Sequence, residues 1–446
     1  MVDNKRFQKI KKFIFKNSRA DDVQVLYTSS VSYLTRLANS YIHQNVHENT
    51  ETLIVNSIFG KKIGVATTRD LSEKNIIKTI RIAEAIAKNR PEDPDYPGLP
   101  LGAEIFYTDK FNEKSSGTTP QQRANILKDI VKICNKSGVN ASGYVSTDFS
   151  NFAVATTKGA DCFCALSNAH LFIITDKGFA TGFAEDENID FFKLNHEKVA
   201  KIAVEKCLKS VDPISVEPGD YTVILEEPAV GEMLAYFNYI AFNTKSYYEG
   251  RSALSGKLGK QVAGKNITIV ENWKHPKGQG MPFDAQGVPK KKVVLIENGQ
   301  VKNMVYDYYH ALKFKQKNTG HALLPQMVYG PMPLNLVLES GKDTPENMIK
   351  STKHGILVTR FHYTNIIDPI KTLYTGMTRN GTFLIKDGKI HKGIKNLRFT
   401  QSILEALNNV KQISKSQVFS GGFMGGGSII PQLKIDNFTF TGKTEF

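Results

Sequence analysis

The sequence predicts an α+β protein of two domains: an N-terminal α+β domain over residues 1–217, with helices on an antiparallel sheet, and a C-terminal β-rich domain over residues 218–446, built as a barrel or a sandwich. Three observations lead there. A chain of 446 residues exceeds the roughly 250–300 residues at which a single hydrophobic core stops growing. In its first half, helical patterns interleave with alternating segments joined by turns of hairpin length, too short for the crossovers that parallel strands need. In its second half, short alternating segments are punctuated by Asn298-Gly299, Asn380-Gly381 and Asp387-Gly388, dipeptides that supply the positive φ of tight hairpin turns.

Taken in order, Phe7, Ile10 and Ile14 recur at helical spacing among lysines, which describes an ordinary first helix with one buried stripe in preference to a helix lying on a membrane. Asp22 to Ser30 and Ser32 to Asn39 alternate as half-buried strands, and Thr52–Phe59 with Lys62–Thr67 form a hairpin around Gly60. Ser72 is placed to cap an Ala/Ile/Lys-rich helix that runs to about Lys88 and stops at the proline-studded Arg90 to Pro100, a linker or extended arm. Gln121–Lys136 is a second helix. Val139 to Ala180, broken by Gly143, Gly159 and Gly178, reads as an antiparallel meander, and His196 to Val211 as a third helix. The first domain ends between Asp212-Pro213 and Pro218-Gly219. Tyr221–Leu225 then forms a buried strand followed by one helix, and β-structure takes up the rest. No repeat of fixed period is present.

Composition narrows the function. Fifty-eight basic against 43 acidic residues give a formal charge of +15, a balance that can favour nucleic acid, anionic membrane or acidic peptides. The lysines are nevertheless scattered. The densest runs, from Lys5 to Lys16 and Lys290-Lys291-Lys292, carry neither interleaved aromatics nor Cys/His spacing, so nucleic acid is not the favoured partner. Cys134, Cys162, Cys164 and Cys207 are too few for a disulfide framework in a chain of this length and point to a reducing compartment. Cys162 and Cys164 share one face of a strand and are expected to be buried thiols. No apolar run reaches the ~18 residues of a membrane span and no secretory h-region opens the chain, so a cytoplasmic location without membrane partners is expected. Among the 10 histidines, His310, His321, His354 and His362 are the candidates for a metal site, and none of the four has HxH, HxxxH or HExxH spacing with a carboxylate partner in the expected place. There is no G-x-S-x-G elbow, and the glycines from Gly421 to Gly427 lack the Lys-Ser/Thr of a phosphate loop. The stretch Ser420 to Ser428 is expected to be a flexible, backbone-rich loop that serves as an ordinary turn or pairs with an extended peptide or partner.

Function comes from longer stretches. Residues 36–45 (RLANSYIHQN), 83–88 (AEAIAK) and 92–100 (EDPDYPGLP) resemble the amino-terminal domain of the TldD/PmbA family. Residues 249–259 (EGRSALSGKLG), 281–289 (MPFDAQGVP), 318–322 (NTGHA), 355–361 (GILVTRF), 368–369 (DP), 375–385 (TGMTRNGTFLI) and 396–400 (NLRFT) resemble its C-terminal half, in the family's order. The similarity runs from about residue 20 to the C-terminus. The family pairs two related subunits. Its catalytic member carries an HExxxH helix, with two zinc-binding histidines and a glutamate that activates water, and a cysteine ligand near the C-terminus.

In this chain the corresponding helix start is Glu227-Pro228-Ala229-Val230-Gly231-Glu232. Glutamates stand at both histidine positions and Pro228 at the glutamate position, and no cysteine follows Cys207. A catalytic zinc needs about three donors with one open position and a group that can take a proton. Proline takes none, and Glu227 and Glu232, at i and i+5, lie about 140° apart around a helix. The residues also have a structural reading: Pro228 suits the first helical position, Glu227 the positive helix end, and Val230, Met233, Leu234, Phe237 and Ala241 a core stripe. The resemblance therefore implies a TldE/PmbA-type subunit of a metallopeptidase acting on unfolded or small peptides. It would carry no metal or cofactor of its own, with zinc in a TldD-type partner, and assemble as a heterodimer with that partner or a homodimer when isolated. Two alternatives stay open: an autonomous metallopeptidase using Glu227 and Glu232, and a protein acting on DNA or a DNA enzyme, in line with the family's older description as modulator of DNA gyrase. Glu249, Arg251, Ser252, Thr319, His321, Arg360, Thr375 and Arg379, which lie in the family blocks, are the candidate substrate or partner contacts. Glu249–Ser252 and Thr375–Arg379 combine charge, glycine and hydroxyl in a way that can fix a carboxylate or staple a turn.

Overall fold

The structure is a computed structural model that describes residues 3–421 and 426–445. Helix α1 (Asn4–Asn17) buries Phe7, Ile10 and Ile14 against the first sheet, so the lysines between them are its solvent face. The sheet is built from β1 (Asp22–Ala38), β2 (Tyr41–Phe59), β3 (Lys62–Thr68), β4 (Glu104–Lys110), β5 (Asn140–Thr156), β6 (Asp161–Lys177) and β7 (Ala180–Asn188). Helix α2 (Glu73–Asn89) follows β3, α3 (Glu113–Ser116) and α4 (Pro120–Lys136) follow β4, and α5 (His196–Lys209) follows β7. The strand order is β3-β2-β1-β5-β6-β4, with β7 also on β6. Every neighbour is antiparallel except the β4–β6 pair. Two helices sit on the sheet by the same device. A Cβ on Gly64 would stand 2.0 Å from the Ala83 carbonyl of α2, and one on Gly182 would stand 2.0 Å from the Ala203 carbonyl of α5. Glycine lets each helix backbone lie directly on a strand.

Two elements differ from the sequence-based expectation. The alternating segments on either side of Val31 are one strand, β1, because β2 and β5 pair with it continuously through Ser29–Ser32. Strand β2 begins at Tyr41, not Thr52; its polar, largely exposed residues from His43 to Thr50 carry no burial pattern, and backbone pairing to β1 alone makes them a strand.

The second half opens with β8 (Gly219–Leu225) and α6 (Glu227–Ala241). Short strands follow: β9 (Ile269–Glu271), β10 (Val293–Glu297), β11 (Gln300–Val301) and β12 (Asn335–Leu338). Then come β13 (His354–Asp368), β14 (Leu373–Lys386), β15 (Lys389–Gly393), β16 (Leu397–Ser402), β17 (Val410–Ile413), β18 (Val418–Gly421), β19 (Gly427–Ile430) and β20 (Leu433–Lys443). The order β13-β8-β20-β16-β14 closes on itself through β13–β14 pairing, so the β-rich half holds a five-stranded barrel and not a sandwich. A second sheet, β11-β10-β9-β12-β19-β18, lies beside it. Helix α6 joins the two, with Val230, Met233, Leu234 and Phe237 fully buried in the core that also holds Val223, Val358, Phe399 and Phe438.

Asn298-Gly299 and Asp387-Gly388 turn the β10–β11 and β14–β15 hairpins with positive φ at all four residues. Asn380-Gly381 does not turn a hairpin: it is a bulge inside β14, where the register to β13 shifts. The glycine-rich stretch also differs, since Val418–Gly421 and Gly427–Ile430 pair as antiparallel strands; residues 422–425 lie outside the described residues. Among the described residues no helix is long and apolar enough to cross a membrane.

Candidate functional site

Where β8 ends, the Glu226 amide donates to the Val358 carbonyl at 3.0 Å and Pro228 opens α6 in its first turn. This fixes both motif glutamates in space. Glu227 accepts from Gln432 Nε2 at 2.9 Å, and Glu232 accepts from the hydroxyl of Thr364 on β13. Burial raises the pKa of both carboxyls; Gln432 opposes the rise at Glu227, and Thr364 with the Arg360 guanidinium opposes it at Glu232. Each carboxylate is thus tied to a different strand region, and the cation beside Glu232 belongs to the chain.

Glu227 and Pro228 face a cleft of about 930 Å³ between the two halves. The opposite wall is β7, with Glu185, Asp186 and Glu187, and Lys206 of α5 crosses the gap to pair with Glu226. The β7 carboxylates are held by β6. His170 Nε2 lies 3.2 Å from Glu185 and its Nδ1 3.1 Å from the Tyr144 hydroxyl. Burial works against a charge on His170, but Glu185 and Glu187 outweigh it and raise its pKa. Glu187 accepts from Asn168 at 2.7 Å, and Gln279 donates 2.6 Å to Asn168; burial raises the Glu187 pKa in turn. These groups were missed from sequence because polar residues alternating along β6 and β7 look like an ordinary solvated sheet face.

Of the remaining sequence candidates, the structure brings Arg360 to Glu232, with Arg379 its cross-strand partner on β14. It does not bring the others there. Glu249 and Arg251 pair with each other in an exposed turn, and Glu249 lines a second cleft of about 620 Å³. Ser252 is buried and donates to the Ala241 carbonyl at 2.6 Å. Thr319 accepts from the Tyr306 amide and donates to the Tyr306 carbonyl, at 2.7 and 2.9 Å. His321 is 1 % exposed, with Nδ1 2.9 Å from Thr319 and Nε2 3.4 Å from Glu271. Thr375 donates to the Phe399 carbonyl at 2.7 Å inside the barrel sheet. The four cysteines are buried, and burial pushes Cys162 and Cys164 up to about 12.

Residues 218–442 match the family model of the PmbA/TldA metallopeptidase C-terminal domain. A Buchnera aphidicola protein named metalloprotease TldD homolog is 27% identical over 281 residues, 58% of this chain and 55% of that one, so this chain spans about half that relative's length. The Escherichia coli O157:H7 protein named metalloprotease PmbA is 21% identical over 93% of this chain and 91% of its own. In fold, the chain is similar to the crystal structure of TldE from Thermococcus kodakarensis, with a TM-score of 0.86 at 23% identity over 98% of this chain and 100% of that one.

Proposed function

The chain belongs to the TldD/PmbA metallopeptidase family, and from that premise we propose that it is a non-catalytic, TldE/PmbA-type subunit of a cytoplasmic zinc metallopeptidase. In this reading it lacks the metal site and helps position unfolded or small peptides for a TldD-type partner that holds the zinc. The observation that carries the reading is the condition of Glu227 and Glu232. A catalytic zinc takes about three protein donors and leaves one position open. Here the two glutamates are bound to Gln432 and Thr364, and the Arg360 guanidinium already supplies positive charge beside Glu232. A divalent cation at that spot would meet electrostatic repulsion. Pro228 offers no proton acceptor, and the cysteines lie on α4, β6 and α5 of the first half. Among the described residues no three His, Cys, Asp or Glu side chains group as a metal site requires. These residues do not fit a zinc ion, and no step is derived through one.

The test is metal analysis and peptide hydrolysis on the full chain purified without chelator, alone and co-expressed with a TldD-type protein from the same cell. Alone, it should hold well under one zinc per chain and leave a fluorogenic peptide intact; the co-purified complex should hydrolyse it. Stoichiometric zinc in the single chain, with hydrolysis lost in Glu232→Ala, would falsify the proposal.

A further inference from the structure

Beside the degenerate motif the barrel presents two arginines on one face. Arg360 of β13 lies directly opposite Arg379 of β14, and facing cross-strand residues project to the same side of a sheet. The register shifts at this point: Val358 pairs with Thr382 and Arg360 with Arg379, so Thr359 opposes both Asn380 and Gly381. Asn380 and Gly381 have φ of 56° and 124°. A bulge with that backbone re-aims the neighbouring side chains, a device found beside functional sites.

The arrangement is unfavourable as it stands. Like charges at facing positions repel, and Arg360 is withdrawn from water against the rings of Phe183 and Phe172, 4.9 and 5.6 Å away. Burial lowers its pKa; Glu232 and Glu185 oppose this and Arg379 adds to it. The arginines that form ion pairs among the described residues are Arg6, Arg81 and Arg251; Arg360 and Arg379 do not. Arg360 Nε is buried without a hydrogen-bond partner, as are Thr359 Oγ1 and Asn380 Oδ1 around the same bulge. Buried polar atoms in folded proteins are nearly always satisfied, so these orphans beside two facing guanidiniums without an ion pair mark a place completed by a ligand.

The ligand's charge and shape follow. Guanidinium groups take a planar carboxylate bidentately. Phe183, which Arg360 overlies, and Glu185 belong to the cleft wall, so the arginines adjoin the cleft that holds the motif. Glu185, Asp186 and Glu187 stand on that wall, and Lys110, Lys193, Lys198, Lys206 and Lys277 also line the cleft. A lining of mixed charge suits a peptide, whose amine can meet the carboxylates and whose terminal carboxylate can pass to the arginines. We propose that Arg360 and Arg379 together bind the C-terminal carboxylate of a short peptide lying in the cleft, so that this subunit recognises the end of the substrate. The proposal rests on the reading of the chain as a peptide-handling subunit and names how it selects peptides.

Calorimetric titration of the purified full chain with tetra-alanine and with its C-terminal amide tests it. The free acid should bind about tenfold more tightly than the amide, the scale of a charge-assisted pair. Arg379→Gln should abolish that preference with an unchanged melting temperature, and Arg360→Lys, which keeps charge but loses the fork, should weaken it. Equal binding of acid and amide, no binding of either, equal binding of an amide with an internal aspartate, or a preference that survives in both variants overturns the proposal. The titration reads neither zinc nor hydrolysis, so its failure leaves the non-catalytic reading standing, and zinc in the isolated chain would leave a measured acid preference intact.

Discussion

The C-terminal half buries charge in two places, and it treats them in opposite ways. Around β9, Glu271 has no exposed surface and accepts from the Asn335 amide at 2.7 Å and from Asn335 Nδ2 at 2.8 Å. His321 Nε2 stands 3.4 Å away, and buried Lys290 adds a cation. Asp284, equally buried, accepts three amides, from Gln286 and Ala322 at 2.9 Å and from Val288 at 3.0 Å. Around the β13–β14 bulge, Arg360 has Glu232 and Glu185 near it without an ion pair, Arg379 faces it, and polar atoms are left unmet. The first cluster pairs both of its carboxylates, leaves His321 Nε2 short of a hydrogen bond, and holds the loop from Met281 to Pro289 against the first-half sheet, where Ala285 accepts from Gln24 at 2.6 Å. The second lies next to the cleft, through the contact of Arg360 with Phe183 of the cleft wall. An unmet buried atom therefore does not by itself mark a site; two facing cations without an ion pair do.

Removing one carboxylate from each cluster separates them most strongly. Glu271→Ala leaves Lys290 buried without its anion and the Asn335 donors unmet, which costs about 3–5 kcal/mol. Glu232→Gln keeps an acceptor for Thr364 and is expected to cost about 1 kcal/mol or less. Urea unfolding of the two variants beside the parent measures both, and near-equal losses would contradict the distinction.

A smaller effect appears in the pH dependence. Burial raises the pKa of Asp284 from 3.8 to about 6, against the opposing pull of its three amide donors and His321. A carboxyl whose pKa rises on folding binds its proton more tightly in the folded state. Its contribution to stability is full below about 3.8 and is lost as pH rises through about 6. Asp284→Asn cannot release that proton, so the fall in melting temperature across this window should be shallower than in the parent, even though the amide turns a donor toward the Ala322 N–H. An identical slope would show that Asp284 is already ionised throughout.

What the sequence revealed follows the same division between local and distant determinants. Helices with a 3.6-residue apolar stripe, such as α1 and α4, and turns with Asn-Gly or Asp-Gly were legible because their causes lie within a few residues. The polar part of β2 and the bulge at Asn380-Gly381 were not, because pairing to a strand elsewhere decides them: the same dipeptide turns one hairpin at Asn298 and widens a strand at Asn380. The degenerate motif was visible as three substitutions within six residues of one helix. Its surroundings were hidden, since Glu185, Glu187 and His170 belong to a polar strand pattern and meet α6 only through the packing of β7 on the barrel. Nothing in the family blocks distinguished Arg360 and Arg379, which meet at the bulge, from Glu249 and Arg251, which merely pair with each other.

That last pair supplies the smallest expected effect and a check on how charge and exposure combine. Arg251 Nε lies 3.0 Å from Glu249, but both side chains are substantially exposed, at 60% and 45%. An exposed ion pair gains little from Coulomb attraction in a high-dielectric surrounding and spends side-chain entropy to keep its geometry. Arg251→Ala should therefore lower stability by about 0.2–1 kcal/mol and leave the acid-over-amide preference of the cleft untouched. Peptide titration and thermal melting on the one variant read both quantities. A loss of acid preference in Arg251→Ala would move the carboxylate site from the β13–β14 bulge to the second cleft, where Glu249 lies beside Lys245 and Lys313.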